Sequence, residues 1–175
     1  EATDTVEIGK TDAVILAVPP VPAGQLVSDL VVPNAFQTIV NGHFRIYGEL
    51  PETSFIGVVG GTAEWLFVRG DVISVTISAA SKFSEKSETE IAASMWADIS
   101  LIFGLDISSR GPCRIIKEKR ATFEQTPEQV ARRPATMVGF ANMFLAGDWT
   151  NTGLPATIEG AVRSGIAAAN SALKH

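Results

Sequence analysis

Cysteine is nearly absent from this 175-residue chain, with Cys113 the single thiol. No disulfide can close within it, so it reads as a protein of a reducing cytoplasm rather than a stapled secreted domain. Cys113 is expected as a buried or strand-facing apolar residue. Histidine is almost as scarce: His43 falls in an expected strand and His175 is terminal, so no metal site is expected and His43 is read as structural. A Gly-x-Ser-x-Gly elbow is missing, which excludes the common serine-hydrolase arrangement, and Arg163-Ser164-Gly165 lies inside a helical stretch instead. Cationic charge is also short, with 14 Lys and Arg against 19 Asp and Glu and a net charge of −5. Nucleic acid, whose binding draws on clustered cations, is therefore not an expected partner. No apolar run approaches the ~20 residues that span a bilayer. The start, Glu1-Ala2-Thr3-Asp4, has neither the basic opening nor the apolar core of a signal peptide. It also lacks an initiator Met, and Val6 and Ile8 alternate at once, so the chain is read as cut from a longer polypeptide. A cytoplasmic location is expected, with peripheral contact at a membrane left open and no reading of oligomeric state.

What is present is a core. Hydrophobic residues make up 46% of the chain and charged ones 19%, the balance of a globular protein. Residues 5–18 read as a hairpin, with Val6 and Ile8 on one side of Gly9-Lys10 and the apolar run 13–18 on the other. Such a continuous run predicts a strand buried on both faces, as in a parallel or mixed sheet. Pro19 and Pro20 end it, and a short helical stretch is expected around 25–30. From 36 to 80 short alternating segments (37–47, 54–59, 64–68, 72–78) are separated by turns at Gly48 with Pro51, Gly60-Gly61 and Arg69-Gly70-Asp71, which predicts an antiparallel sheet. Ser87 with Glu90 is a capping-box signature, and Ile91, Ala92, Met95, Trp96, Ile99, Ile102 and Phe103 repeat at helical spacing until Gly104. Residues 113–123 return to a strand, and 126–134 read as a polar connection. The last unit is a short strand at 143–146, a turn at Gly147-Asp148 and a helix over 156–173.

That last unit has the pattern of a ligand site. A strand ending in Gly-Asp places a carboxylate at the carboxyl edge of a sheet, where α/β folds bind ligands, and Gly147 permits close backbone approach. Asp148 can then accept hydrogen bonds from ribityl hydroxyls. Pro155 is read at a helix start, where a missing N–H is tolerated. The partial positive charge of that terminus suits a phosphate, or the electron-rich edge of an isoalloxazine as it is reduced. Gly160, Ala161, Ser164, Gly165, Ala167, Ala168 and Ala169 let the helix lie close to its neighbours. The plainer alternative is a simple turn followed by a tightly packed helix. Glu159 is read as compensating the helix dipole, the run Lys117, Glu118, Lys119 and Arg120 as a solvated strand edge, and Trp65, Trp96 and Trp149 as packing residues, with Trp149 alternatively bordering a cofactor.

The segment 143–165 (MFLAGDWTNTGLPATIEGAVRSG) resembles the C-terminal flavin motif of the FAD-dependent amine oxidase and phytoene desaturase superfamily, in particular its squalene-associated branch. Residues 12–20 (DAVILAVPP) resemble that superfamily's strand leading into the flavin domain, and 118–123 with 126–128 resemble the branch's penultimate strand and loop. The resemblance implies an α+β fold: an α/β remnant of a Rossmann-like FAD-binding domain at 1–32 and 135–175, and an antiparallel substrate-domain sheet with a packed helix at 33–134. It implies that Gly147 and Asp148 bind the ribityl and pyrophosphate region of FAD, that Pro155, Ala156, Thr157 and Ile158 face the flavin ring, and that Ala17, Val18 and Pro19 lie near the adenosine half. The implied activity is an FAD-dependent oxidoreductase acting on a polyisoprenoid, the reductive removal of the hydroxyl of hydroxysqualene to give squalene in hopanoid synthesis. A carotenoid-type desaturase or a flavin amine oxidase shares the same chain ends. A non-catalytic β module holding lipid or a partner protein is the alternative from another class. No catalytic or substrate-contacting residue is carried over. The superfamily's opening Gly-x-Gly-x-x-Gly turn does not occur, since Gly57, Gly60 and Gly61 have the wrong spacing. The isolated chain is accordingly expected to hold FAD weakly or not at all, and to be inactive.

Overall fold

The structure, a computed structural model, describes residues 5–50, 52, 55–83 and 85–175. Glu1 to Asp4, Pro51 and Ser54, weighed above, lie outside the described residues. In chain order the elements are β1 (Val14–Leu16), α1 (Pro20–Leu26), β2 (Phe36–Arg45), β3 (Phe55–Gly57), β4 (Trp65–Arg69) and β5 (Val72–Ile77). They continue with α2 (Glu88–Phe103), β6 (Cys113–Phe123), α3 (Pro127–Ala131), β7 (Met143–Leu145) and α4 (Ile158–Ala172). Parallel and antiparallel sheets occur together with helices, a mixed α+β fold. The chain forms two compact units, Glu1–Phe36 with Thr122–His175, and Gln37–Ala121.

In the continuous unit the strand order is β3-β4-β5-β2-β6, with β3/β4, β4/β5 and β5/β2 antiparallel. Alternation decides its faces. Val40 and Phe44 of β2, Leu66 of β4 and Ile73, Val75 and Ile77 of β5 all turn inward, against Ile91, Met95, Trp96 and Ile99 of α2. Each such buried side chain stabilises the unit by about 1.5–3 kcal/mol. The α2 boundaries follow from local chemistry. The Ser87 hydroxyl accepts from the Glu90 amide (3.2 Å) while the Glu90 carboxylate accepts from the Ser87 amide (2.8 Å), and Gly104 closes the helix in the left-handed conformation. Gly42 lets α2 approach the sheet: a Cβ there would stand 2.5 Å from the Met95 sulfur and 2.8 Å from the Phe44 ring. His43 lies on the opposite face, its Nδ1 2.9 Å from the Ser74 hydroxyl. The run Lys117, Glu118, Lys119 and Arg120 sits on β6, the outermost strand beside β2.

The other unit is built on a pair of parallel strands, Val14 opposite Met143 and Leu16 opposite Leu145. On one face Phe144 and Ala146 pack against Ala168 and Ala172 of α4. On the other Leu145 and Trp149 pack with Ala23 and Phe123.

At several points the structure departs from the sequence pattern. Residues 5–8 form no strand, and β1 pairs with β7 rather than with a hairpin partner. Ile15 is 43% exposed, because β1 is only three residues long and the described sheet has two strands. The first helix begins at Pro20, not near 25, because the fixed φ of its prolines suits a first turn whose N–H groups have no intrahelical acceptor. The connection after β6 contains α3, capped by the Thr126 hydroxyl. Its Gln129 is buried by fixing the chain at 34–35 through amide bonds of 2.8 and 3.3 Å. Cys113 is exposed, at the start of the outermost strand. Among the described residues no helix is long and apolar enough to cross a membrane.

Candidate functional site

Because β1 and β7 run parallel, the residues that follow them leave at the same sheet edge. Ala17, Val18 and Pro19 follow one strand, Gly147 and Asp148 the other. The Ala146 amide donates to the Leu16 carbonyl (3.1 Å) and the Trp149 indole N–H to the Val18 carbonyl (3.0 Å), which ties the two exits together. Val18 contributes to the core there, whereas Ala17 and Pro19 are exposed. Trp149 is buried in that same core and is a packing residue.

Gly147 makes the turn possible. Its φ of +149° is one that L side chains rarely adopt, and a Cβ there would run into the Trp149 indole. Its amide donates to the Ser164 hydroxyl of α4 (2.7 Å), which in turn donates to the Ala161 carbonyl (2.7 Å). The Gly147 amide is therefore already satisfied, and this residue shapes the site by backbone conformation. The Thr150 hydroxyl closes the turn on the Gly147 carbonyl at 2.8 Å.

Asp148 is half-buried, and among the described residues it takes part in no ion pair. Burial pushes its carboxyl above the usual aspartate range, while hydrogen bonds from its own amide and that of Trp149, and the Arg133 charge, pull the other way. A carboxylate so placed is an acceptor for a ligand's hydroxyl groups.

The loop from Asp148 leads to α4. Its N-cap is Thr157, whose hydroxyl accepts from the Gly160 amide (3.1 Å), so the helix starts two residues later than the position of Pro155 predicts. Pro155 precedes the cap and is exposed, Ala156 packs into the core, Thr157 is exposed, and Ile158 is 86% exposed. Glu159 pairs with Arg163 one turn on, at 2.7 Å.

One residue of the site escapes a reading of the sequence. Arg133, 9% exposed, is the one charged side chain among the buried residues described. It donates from Nη1 to the Leu154 carbonyl (2.8 Å) and from Nη2 to the carbonyls of Asp148 (3.0 Å) and Thr150 (2.5 Å) and the Thr152 hydroxyl (3.2 Å). The Phe123 ring lies against it, 5.1 Å from the guanidinium carbon. Both ends of the Asp148–Leu154 loop thus meet on one guanidinium, which brings Asp148 and the approach to α4 together. Burial pulls the Arg133 pKa down against the opposing effect of Asp148, but a guanidinium stays charged in proteins. In the sequence Arg133 is indistinguishable from its neighbour Arg132, whose Nε donates to the Val32 carbonyl (2.9 Å).

Among the described residues, no group of three or more His, Cys, Asp or Glu is placed to hold a metal ion. The chemistry available is a carboxylate acceptor, a glycine turn and a helix start beside the carboxyl edge of a parallel strand pair.

Hydroxysqualene dehydroxylase of Sinorhizobium fredii is 46% identical to this chain over 170 residues, covering 97% of the chain and 40% of that protein. The enzyme of the same name from Rhodopseudomonas palustris is 45% identical over 170 residues, with 97% and 40% covered. That from Zymomonas mobilis is 42% identical over 174 residues, with 99% and 42% covered. The chain spans about two fifths of the length of these curated relatives. The sequence profile of flavin-containing amine oxidoreductases matches residues 1–173, and the chain belongs to that family.

Proposed function

We propose that this chain is the flavin-contacting part of an FAD-dependent oxidoreductase acting on a polyisoprenoid, and that the whole protein reductively removes the hydroxyl of hydroxysqualene to give squalene. The family is flavin-containing; FAD is the finer reading. The observation that carries it is Asp148, a half-buried carboxylate outside any described ion pair, at the carboxyl edge of β1 and β7 where the chain turns toward α4. The names and 42–46% identities of the relatives support the substrate class.

The residues present fit that cofactor. Asp148 accepts from ribityl hydroxyls, a role that suits a carboxylate better than contact with the like-charged pyrophosphate does. Gly147 keeps the strand exit free of a side chain, and Pro155, Ala156, Thr157 and Ile158 carry the positive end of α4 to the flavin ring. Ala17, Val18 and Pro19 border the adenosine half. In this reading the first unit is part of a Rossmann-like FAD-binding domain, and the sheet of Gln37–Ala121 belongs to the substrate domain. When bound, FAD supplies the two-electron chemistry: a hydride replaces the hydroxyl, which leaves with a proton as water, at the expense of an external two-electron donor.

The test is the full-length protein. It is expected to purify with FAD and to convert hydroxysqualene to squalene when supplied with reductant. Asp148→Ala is expected to weaken FAD binding by about tenfold or more, since a hydrogen bond to a charged group contributes ~1.5–3 kcal/mol. Full-length protein that purifies without flavin and takes none up on reconstitution would refute the reading.

A further inference from the structure

We propose that Arg133 is a positioning residue for the flavin: its guanidinium sets the separation between Asp148 and the start of α4, and its buried charge favours the reduced cofactor. The proposal rests on the flavin reading above.

The loop from Asp148 to Leu154 contains no helix or strand, and it is bracketed by the strained turn at Gly147 and another positive φ, +75°, at Gly153. Left to itself such a segment has many conformations, each placing Asp148 at a different distance from α4. Arg133 removes that freedom. It binds carbonyls at both ends and in the middle, and the Asn151 amide donates to the carbonyl of the adjoining Pro134 (2.8 Å). The planar guanidinium reaches Leu154 from one nitrogen and Asp148 and Thr150 from another in a fixed fork, whereas lysine's three donors all leave a single atom on a flexible stem.

The Nε atom points to more than a staple. It is buried with no hydrogen-bond partner, a burden that an apolar residue packed on Phe123 would not carry. A cation held in this dry position, one hydrogen bond from the Asp148 backbone, stabilises negative charge arriving nearby as the flavin is reduced. Arg133 thus acts through the loop on the geometry and through space on the potential.

The full-length holoenzyme carrying Arg133→Met or Arg133→Lys separates these effects. Arg133→Met, with no charge and no fork, is expected to bind FAD about tenfold more weakly. It is also expected to lower the flavin midpoint potential by about 30 mV, the equivalent of a further tenfold loss for the two-electron-reduced form. Arg133→Lys is expected to restore the potential but not the affinity. A loaded wild type alongside an Arg133→Met protein of unchanged affinity and potential overturns this proposal and leaves the flavin reading standing. Wild type that takes up no flavin overturns both. Should Arg133→Met fail to fold, Arg133→Lys decides: weakened FAD binding at wild-type potential supports the proposal, and unchanged binding overturns it.

Discussion

Burial raises the Asp148 carboxyl above the ordinary aspartate value of 3.8, so ionising it costs more in the folded state than in the unfolded chain. A carboxyl shifted upward contributes stability that is fully present below the unfolded value and is lost as pH rises through the folded one. Asp148→Asn, which cannot ionise, is therefore expected to be more stable than wild type at neutral pH. That difference should shrink to nothing as pH falls below the usual aspartate range, and urea unfolding across a pH series measures it. The same substitution weakens the acceptor proposed for FAD, so stability and cofactor affinity move in opposite directions, as they do where a site keeps a costly group for function. Gly147 is the second residue on which the site turns. Gly147→Ala forces a side chain into a left-handed backbone and against Trp149, with an expected loss of about 1–3 kcal/mol in thermal or denaturant unfolding. Neither effect requires the cofactor to be present.

Among the elements, helices with side-chain caps give the sharpest expectations. Thr157→Ala removes the acceptor of the Gly160 amide, and Ser87→Ala opens the capping box of α2. Each is expected to cost about 1 kcal/mol by equilibrium unfolding. α2 and the antiparallel strands were legible because their signals are local and strong: period-two alternation, a capping box and a terminal glycine, all of which the structure retains. β6 runs over the expected residues 113–123. Elsewhere tertiary context outweighs local pattern. The run 13–18 is apolar enough for a long strand, yet three of its residues pair and the partner is β7. α3 is a five-residue helix in a proline-containing polar stretch, too short for periodicity to reveal. At the site, Gly147 and Asp148 stood out because a strand, a glycine and an acid occur in that order. The burial of Arg133 did not, since it depends on carbonyls more than a dozen residues further along the chain.

For the whole molecule, the division into two units has an energetic counterpart. The cluster containing Leu66 and the cluster containing Leu145 share no residue. Leu66→Ala and Leu145→Ala are each expected to cost about 2–5 kcal/mol. Without shared partners, the double variant should lose close to the sum, and a thermodynamic cycle on the three variants reads this directly.

The pairing of Val14 with Met143 also carries a consequence for how the protein is made. During synthesis β1 leaves the ribosome long before the strand it needs, and all of Gln37–Ala121 is translated in between. That contiguous sheet can close on α2 as it emerges, while Ile15 and Leu16 wait for Phe144 and Leu145 until β7 follows. The proposed cofactor edge thus forms after the inserted unit. A translation arrest placed before residue 143 should leave the inserted unit protease-resistant and β1, still lacking β7, open to cleavage.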